Sequence, residues 1–317
     1  MSVYGDYDGE PRPIARLRAA NQGGPDPTTL TLDQRRAGIE QIAAANPPAP
    51  DVSYVETSLG GRPAACVEAP GALPDRAIFY THGGAYVAGS PFTHRAILGE
   101  LSRHARARVL AVDYRLAPEH PFPAAVEDGL AAYRAFMATH GEGRTAVAGD
   151  SAGGGLAVVI LTQARDAGLP SPDAGVLFSP WVDLSGGSHS MTSKAKADPI
   201  VKPDVVGAMA TLYLNGADPR DPRASPLFAV LRGLPPLLIQ AGADEVLLDE
   251  IVDLERNARQ SGVDTTLEVW PEMVHVWHAF LKVLPEAADA LRRAGRYLER
   301  QWSIAGEADV HRQRSVK

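Results

Sequence analysis

The chain has 317 residues, 45% hydrophobic and 22% charged, a balance that fits a folded protein with a large core and excludes a disordered or fibrous one. A formal net charge of -7 argues against an extended nucleic-acid surface, and the single cysteine, Cys66, excludes an intrachain disulfide and a cysteine zinc cluster. No apolar run reaches the roughly 18 residues of a membrane span, and the acidic start (Asp6, Asp8, Glu10) lacks the basic flank and apolar stretch of a secretory leader, so a cytoplasmic protein is expected.

Residues 1–50 are broken by proline and glycine. A helix is expected over 30–45, starting near Thr31 or Asp33 and stopped by Asn46-Pro47-Pro48-Ala49-Pro50. This region reads as a flap or cap segment. Two alternating strands follow, 52–57 and 64–68, joined at Gly60-Gly61. A short apolar strand over 77–80 runs into His82-Gly83-Gly84-Ala85. Helix is expected over 93–107, strand over 109–114, and helix over 124–137 behind Pro121 and Pro123. Ala146-Val147-Ala148 leads into Gly149-Asp150-Ser151-Ala152-Gly153-Gly154-Gly155 and an apolar segment, read as strand, sharp turn and helix.

A strand over 175–178 ends at Pro180. From 185 to 226 the strand–helix rhythm stops, apart from a helix over 203–214, and an insertion of that length is usually functional. Strand 237–241, helix 246–261, strand 265–270 and helix 286–302 complete the pattern, with a polar tail after it. The alternation predicts an α/β fold, a mostly parallel sheet with helices on both faces. The expected organisation is a cap segment 1–50, core 51–184, inserted cap 185–226, core 227–303 and tail 304–317.

His82, Ser151, Asp244 and His275 each follow a predicted strand, which gathers them at the carboxyl edge of the sheet, where ligands bind in such folds. Gly-x-Ser-x-Gly places a serine on a tight turn at a helix N-terminus, where free amides favour developing negative charge. A dinucleotide or P-loop reading fails, because no Lys-Ser/Thr follows Gly155 and the GxGxxG spacing is missing.

A serine hydroxyl needs a base, and His275 after the last strand is favoured over its rival His278. Asp244, directly after a strand, is favoured as the acid that holds the imidazole; Glu245 is a weaker rival, and Asp249 and Asp253 read as solvated helix charges. Donors for an oxyanion are expected at Ala152 and among Gly83, Gly84 and Ala85, with His82 bracing the loop. Nothing in the sequence calls for a cofactor or a metal.

Together His82-Gly83-Gly84, Asp113-Tyr114-Arg115-Leu116-Ala117-Pro118-Glu119, Gly149-Asp150-Ser151-Ala152-Gly153, Asp244-Glu245-Val246-Leu247 and His275-Val276-Trp277-His278 resemble the bacterial hormone-sensitive lipase family of carboxylesterases, in the subgroup with a GDSAG motif. The likeness spans about residues 50–300. It implies an α/β-hydrolase fold with a helical cap, a triad of Ser151, Asp244 and His275, and cofactor-free hydrolysis of short acyl esters. Lactone hydrolysis by the same machinery is the alternative, and a non-catalytic binding role is the remote one.

Where the family usually reads HGGG this chain has Ala85. The family motif implies hole amides at Gly84 and Ala85, with Gly83 enabling the turn, and the added methyl narrows the alcohol side against bulky tertiary esters. Strand 265–270, expected at a sheet edge and carrying Leu267, Val269 and Trp270, is where relatives often dimerise, so a homodimer is expected there.

Overall fold

The computed structural model describes residues 12–22 and 27–315. The acidic stretch read for a leader, residues 23–26 of the flap, and the last two residues of the tail lie outside them. Eight strands form one sheet: β1 (Ser53–Leu59), β2 (Arg62–Glu68), β3 (Arg76–Thr81), β4 (Arg108–Val112), β5 (Arg144–Asp150), β6 (Ala174–Phe178), β7 (Leu237–Gly242) and β8 (Thr265–Trp270). Their order is β1-β2-β4-β3-β5-β6-β7-β8. β2 runs antiparallel to both of its neighbours, and β4 through β8 are mutually parallel.

The interior parallel strands are mostly apolar along their middles because both faces are covered, whereas the edge strand β8 mixes Thr265, Thr266 and Glu268 with Leu267, Val269 and Trp270. In β3, Ala77 and Phe79 face one core while Ile78 and Tyr80 face the other; in β7, Leu237 and Ile239 oppose Leu238 in the same way. On the first face pack α4 (Ala124–His140), α5 (Ser151–Asp166) and α8 (Leu248–Gln260), through residues such as Phe136, Leu156 and Leu254. On the second lie α3 (Arg95–Ala105) and α9 (Pro285–Ser315), through Leu98, Leu101, Leu291 and Leu298. The expected alternation is therefore the observed one.

Two further helices precede the sheet. α2 (Leu32–Ala45) begins at Thr31, whose hydroxyl accepts from Gln34 N while Gln34 Oε1 accepts from Thr31 N, a reciprocal cap worth about 1 kcal/mol. α1 (Pro13–Gln22) was not expected from the sequence, since it offers the core only Ile14 and Leu17. These two side chains dock on Met273, Val274 and Trp277, in the loop after β8. The inserted segment carries a single turn, α6 (Ser190–Ser193), and α7 (Pro203–Leu214), which buries Met209, Ala210, Tyr213 and Leu214 in the first core.

The C-terminus differs from expectation. The segment read as a tail from 304 onward continues α9 to Ser315. Polar sequence can prolong an existing helix because propagation fixes one residue per bond, whereas nucleation is the costly step.

Candidate active site

β3 and β5 end together, as do β7 and β8, with Thr81 beside Gly149 and Gly242 beside Trp270. The segments that leave them converge on Ser151. It sits between β5 and α5 with φ 52, a left-handed conformation that costs a non-glycine residue about 1–2 kcal/mol. The turn closes because Gly153 lies against the carbonyls of Thr81 and His82, where a side chain has no room. Thr81 Oγ1 donates to Gly153 O at 2.7 Å and Trp181 N to Ser151 O at 2.8 Å, holding the strained serine from both sides.

His275 Nε2 lies 2.8 Å from Ser151 Oγ, and His275 Nδ1 lies 2.7 Å from Glu245 Oε2. A proton on Nδ1, directed at the carboxylate, leaves Nε2 free to accept from the serine. Burial works against a charged imidazole here. The hydrogen bond and charge of Glu245, with Asp198 and Asp150 beyond, outweigh it and raise the pKa of His275. Burial likewise pushes Glu245 up, against the pull of His275 and of the Gly242 amide, which donates to Oε1 at 2.6 Å.

Asp244 does not face the imidazole; this corrects the expectation from sequence. Its amide donates to Met273 O, and its carboxylate turns outward to Arg18 of α1 at 2.6 Å and Lys194 at 3.7 Å. Consecutive side chains in this turn point apart, and Glu245, buried completely, takes the inner position. Arg18 also donates to Ala197 O and Glu272 O, so α1 ties together the loops after β7 and β8 and the inserted segment.

His278 stands apart from the serine. It is buried against Phe178 and Trp277, its Nε2 lies 2.9 Å from Gln240 Oε1, and burial lowers its pKa to about 3. It is a neutral core histidine.

The loop after β3 carries a second correction. The Gly83 amide, expected among the oxyanion donors, is engaged: it donates to Asp150 Oδ1 at 3.0 Å. Among the described residues, the amides of Gly84, Ala85 and Ala152 have no protein acceptor. Asp150 also accepts from the Tyr80 hydroxyl at 2.8 Å and lies 3.3 Å from His94 Nε2. Against the burial penalty, the charge and hydrogen bond of His94, then the Tyr80 hydroxyl, hold Asp150 down at about 2. It is a buried anion that fixes the loop by its first glycine. The sequence does not announce this role, because Asp150 stands at the unspecified position before Ser151 in Gly-x-Ser-x-Gly.

His82 stacks on Tyr114 at 4.2 Å, with its Nδ1 2.8 Å from Gly83 O, and burial lowers its pKa to about 3. This neutral, packed imidazole matches the bracing role expected of it. Ala85 and Tyr86 follow with φ 55 and 62, two successive left-handed residues with side chains.

A half-buried serine hydrogen-bonded to a buried histidine, itself bonded to a buried carboxylate, at the carboxyl edge of a mostly parallel sheet is the arrangement of an α/β-type hydrolase. Residues 78–279 match the family model described as alpha/beta hydrolase fold. An acetyl-hydrolase of Streptomyces hygroscopicus is 48% identical over 230 residues, 72% of this chain and 77% of that protein. The crystal structure of an esterase/lipase from an uncultured bacterium superposes with a TM-score of 0.88 at 46% identity, covering 93% of this chain and all of that one. An esterase from the bacterial hormone-sensitive lipase family superposes with a TM-score of 0.87 at 44% identity, covering 92% of this chain and 98% of the other. The chain belongs to the α/β-hydrolase fold family and, within it, to the bacterial hormone-sensitive lipase group of esterases.

Proposed function

We propose that the protein is a serine carboxylesterase acting on short acyl esters through an acyl-enzyme. The observation that carries this reading is the unbroken line Glu245–His275–Ser151, with links of 2.7 and 2.8 Å. Ser151 Oγ attacks the ester carbonyl as its proton passes to His275 Nε2, and Glu245 stabilises the resulting imidazolium. The amides of Gly84, Ala85 and Ala152 take up the negative charge on the carbonyl oxygen. Collapse of the tetrahedral adduct expels the alcohol, which receives the proton from His275. Water then repeats the sequence on the acyl-serine and releases the acid.

No group of three or more His, Cys, Asp or Glu side chains among the described residues is arranged to hold a metal ion. Among the described residues no helix is long and apolar enough to cross a membrane. Reaction with a fluorophosphonate tests the activated serine: the wild type should label at Ser151 and lose activity in step with labelling. An enzyme that stays active while fully labelled, or does not label, contradicts the reading. Acetate and butyrate esters compared with a γ-lactone then separate ester from lactone hydrolysis, and preference for the lactone by kcat/KM favours the alternative.

The edge position of β8, with Val269 exposed, also supports the proposal that two copies pair there. Sedimentation at micromolar concentration should give a dimer, and a monomer alone contradicts it.

A further inference from the structure

Two adjacent left-handed residues need something to hold them, because nothing in Ala85-Tyr86 favours that conformation locally. The backbone supplies part of the answer. Gly84 O accepts from both Val87 N and Ala88 N at 3.0 Å, and Tyr86 O accepts from Ala117 N at 2.9 Å. Arg36 of α2 adds a bond to Val87 O at 2.8 Å. These bonds fix the far side of the turn and leave the Tyr86 side chain to set its near side.

That side chain lies near Tyr114 and Trp181, with ring centroids 6.4 and 6.1 Å away, and makes its closest ring contact with the inserted segment. Tyr86, 1% exposed, lies flat on Tyr213 of α7, with ring centroids 3.9 Å apart and planes inclined by 7°. Tyr213 is equally buried, and its hydroxyl has no hydrogen-bond partner among the described residues. A buried hydroxyl without a partner is a net cost, and a phenylalanine would avoid it. The ring is therefore the useful part. The Tyr213 backbone is fixed in turn, since its carbonyl accepts from Phe122 N at 2.8 Å.

We propose that Tyr213 is a positioning residue for the oxyanion hole. Its ring clamps Tyr86 and so keeps the Gly84 and Ala85 amides in place, which makes the inserted segment part of the catalytic geometry as well as a cover. This rests on the serine esterase reading given above.

The test compares Tyr213→Phe, which keeps the stack, with Tyr213→Leu, which keeps apolar bulk and loses it. Active sites are counted by fluorophosphonate titration, so kcat refers to competent enzyme only. Losing one oxyanion donor costs about 10² to 10³ in kcat, and a donor displaced but not removed should cost less. Tyr213→Leu should therefore lose about 10- to 100-fold in kcat with KM changed by less than about threefold. Its affinity for a trifluoromethyl ketone, whose adduct carries an oxyanion, should fall by about the same factor as kcat/KM. Tyr213→Phe should stay within about twofold of wild type in all three.

A Tyr213→Leu enzyme with fewer titratable sites but normal kcat per site would overturn the proposal in favour of plain packing. Equal damage in Tyr213→Phe would overturn it in favour of the hydroxyl. Failure of the wild type to label at all would instead defeat the esterase reading.

Discussion

The turn after β5 and the turn after β7 both present a member of the Ser151–His275–Glu245 line at the same edge of the sheet, yet they are specified differently. The serine turn is written in its own residues. Gly149, Gly153 and the left-handed Ser151 lie within five positions, and the close approach of α5 to Thr81 and His82 leaves no alternative arrangement. The acid turn offers two carboxylates side by side, Asp244 and Glu245. Which one turns inward is decided by partners elsewhere: Arg18, 226 residues away, and Lys194 draw Asp244 out, while the Gly242 amide and His275 hold Glu245 in. A local motif fixes the serine; long-range charge pairing selects which carboxylate meets its histidine.

The contrast can be broken most forcefully at the serine turn. Ser151→Ala, or His275→Ala, should lower kcat by roughly 10⁴ to 10⁶, as expected for members of one catalytic unit. Residual rates near wild type, measured with a p-nitrophenyl ester, would mean that another group attacks.

His278 sharpens the contrast between a histidine at the site and one in the core. His278→Gln should leave kcat per active site within about threefold and act on stability instead. The folded-state pKa of His278 lies near 3, below the ordinary value of 6.5, so the unfolded chain takes up a proton that the folded one refuses. As pH falls from 6.5 towards 3, this group therefore removes stability, by up to about 1.4 kcal/mol per pH unit. Urea titrations over that range should show a shallower acid decline for His278→Gln than for the wild type. Parallel declines would contradict a neutral His278.

The smallest effect is expected at Ala85. Ala85→Gly keeps the amide and relieves a left-handed alanine, so kcat on ethyl acetate should change by less than about threefold. The lost methyl should help tert-butyl acetate more than ethyl acetate in kcat/KM. A hundredfold gain on both esters would mean that Ala85 misaligns the donors in the natural enzyme.

Much of the fold was legible because period and punctuation agree with it: the 203–214 helix and the 265–270 strand appear with the bounds expected. The histidine that meets Ser151 was legible too, since His275 follows the last strand. What could not be read depends on contacts between distant residues. α1 carries too few apolar residues to announce a helix and is held by Arg18 and by two buried side chains. The sequence leaves the Gly83 amide open as a donor, whereas in the fold it donates to Asp150 Oδ1. Nothing in the sequence singles out Tyr213 within the 203–214 helix, and only the fold sets it against Tyr86.

The choice between the adjacent carboxylates is the claim on which the account turns, and one paired measurement addresses it. Glu245→Gln and Asp244→Asn are compared by kcat/KM as a function of pH. Glu245→Gln should lose roughly 10⁴, because the imidazole is no longer held in the productive tautomer. Whatever activity survives should have its acid limb shifted to lower pH, since Glu245 raises the pKa of His275. Asp244→Asn loses a partly exposed ion pair and should stay within about fivefold of wild type, with an unmoved acid limb. The reverse pattern, an inactive Asp244→Asn beside a working Glu245→Gln, would contradict the account.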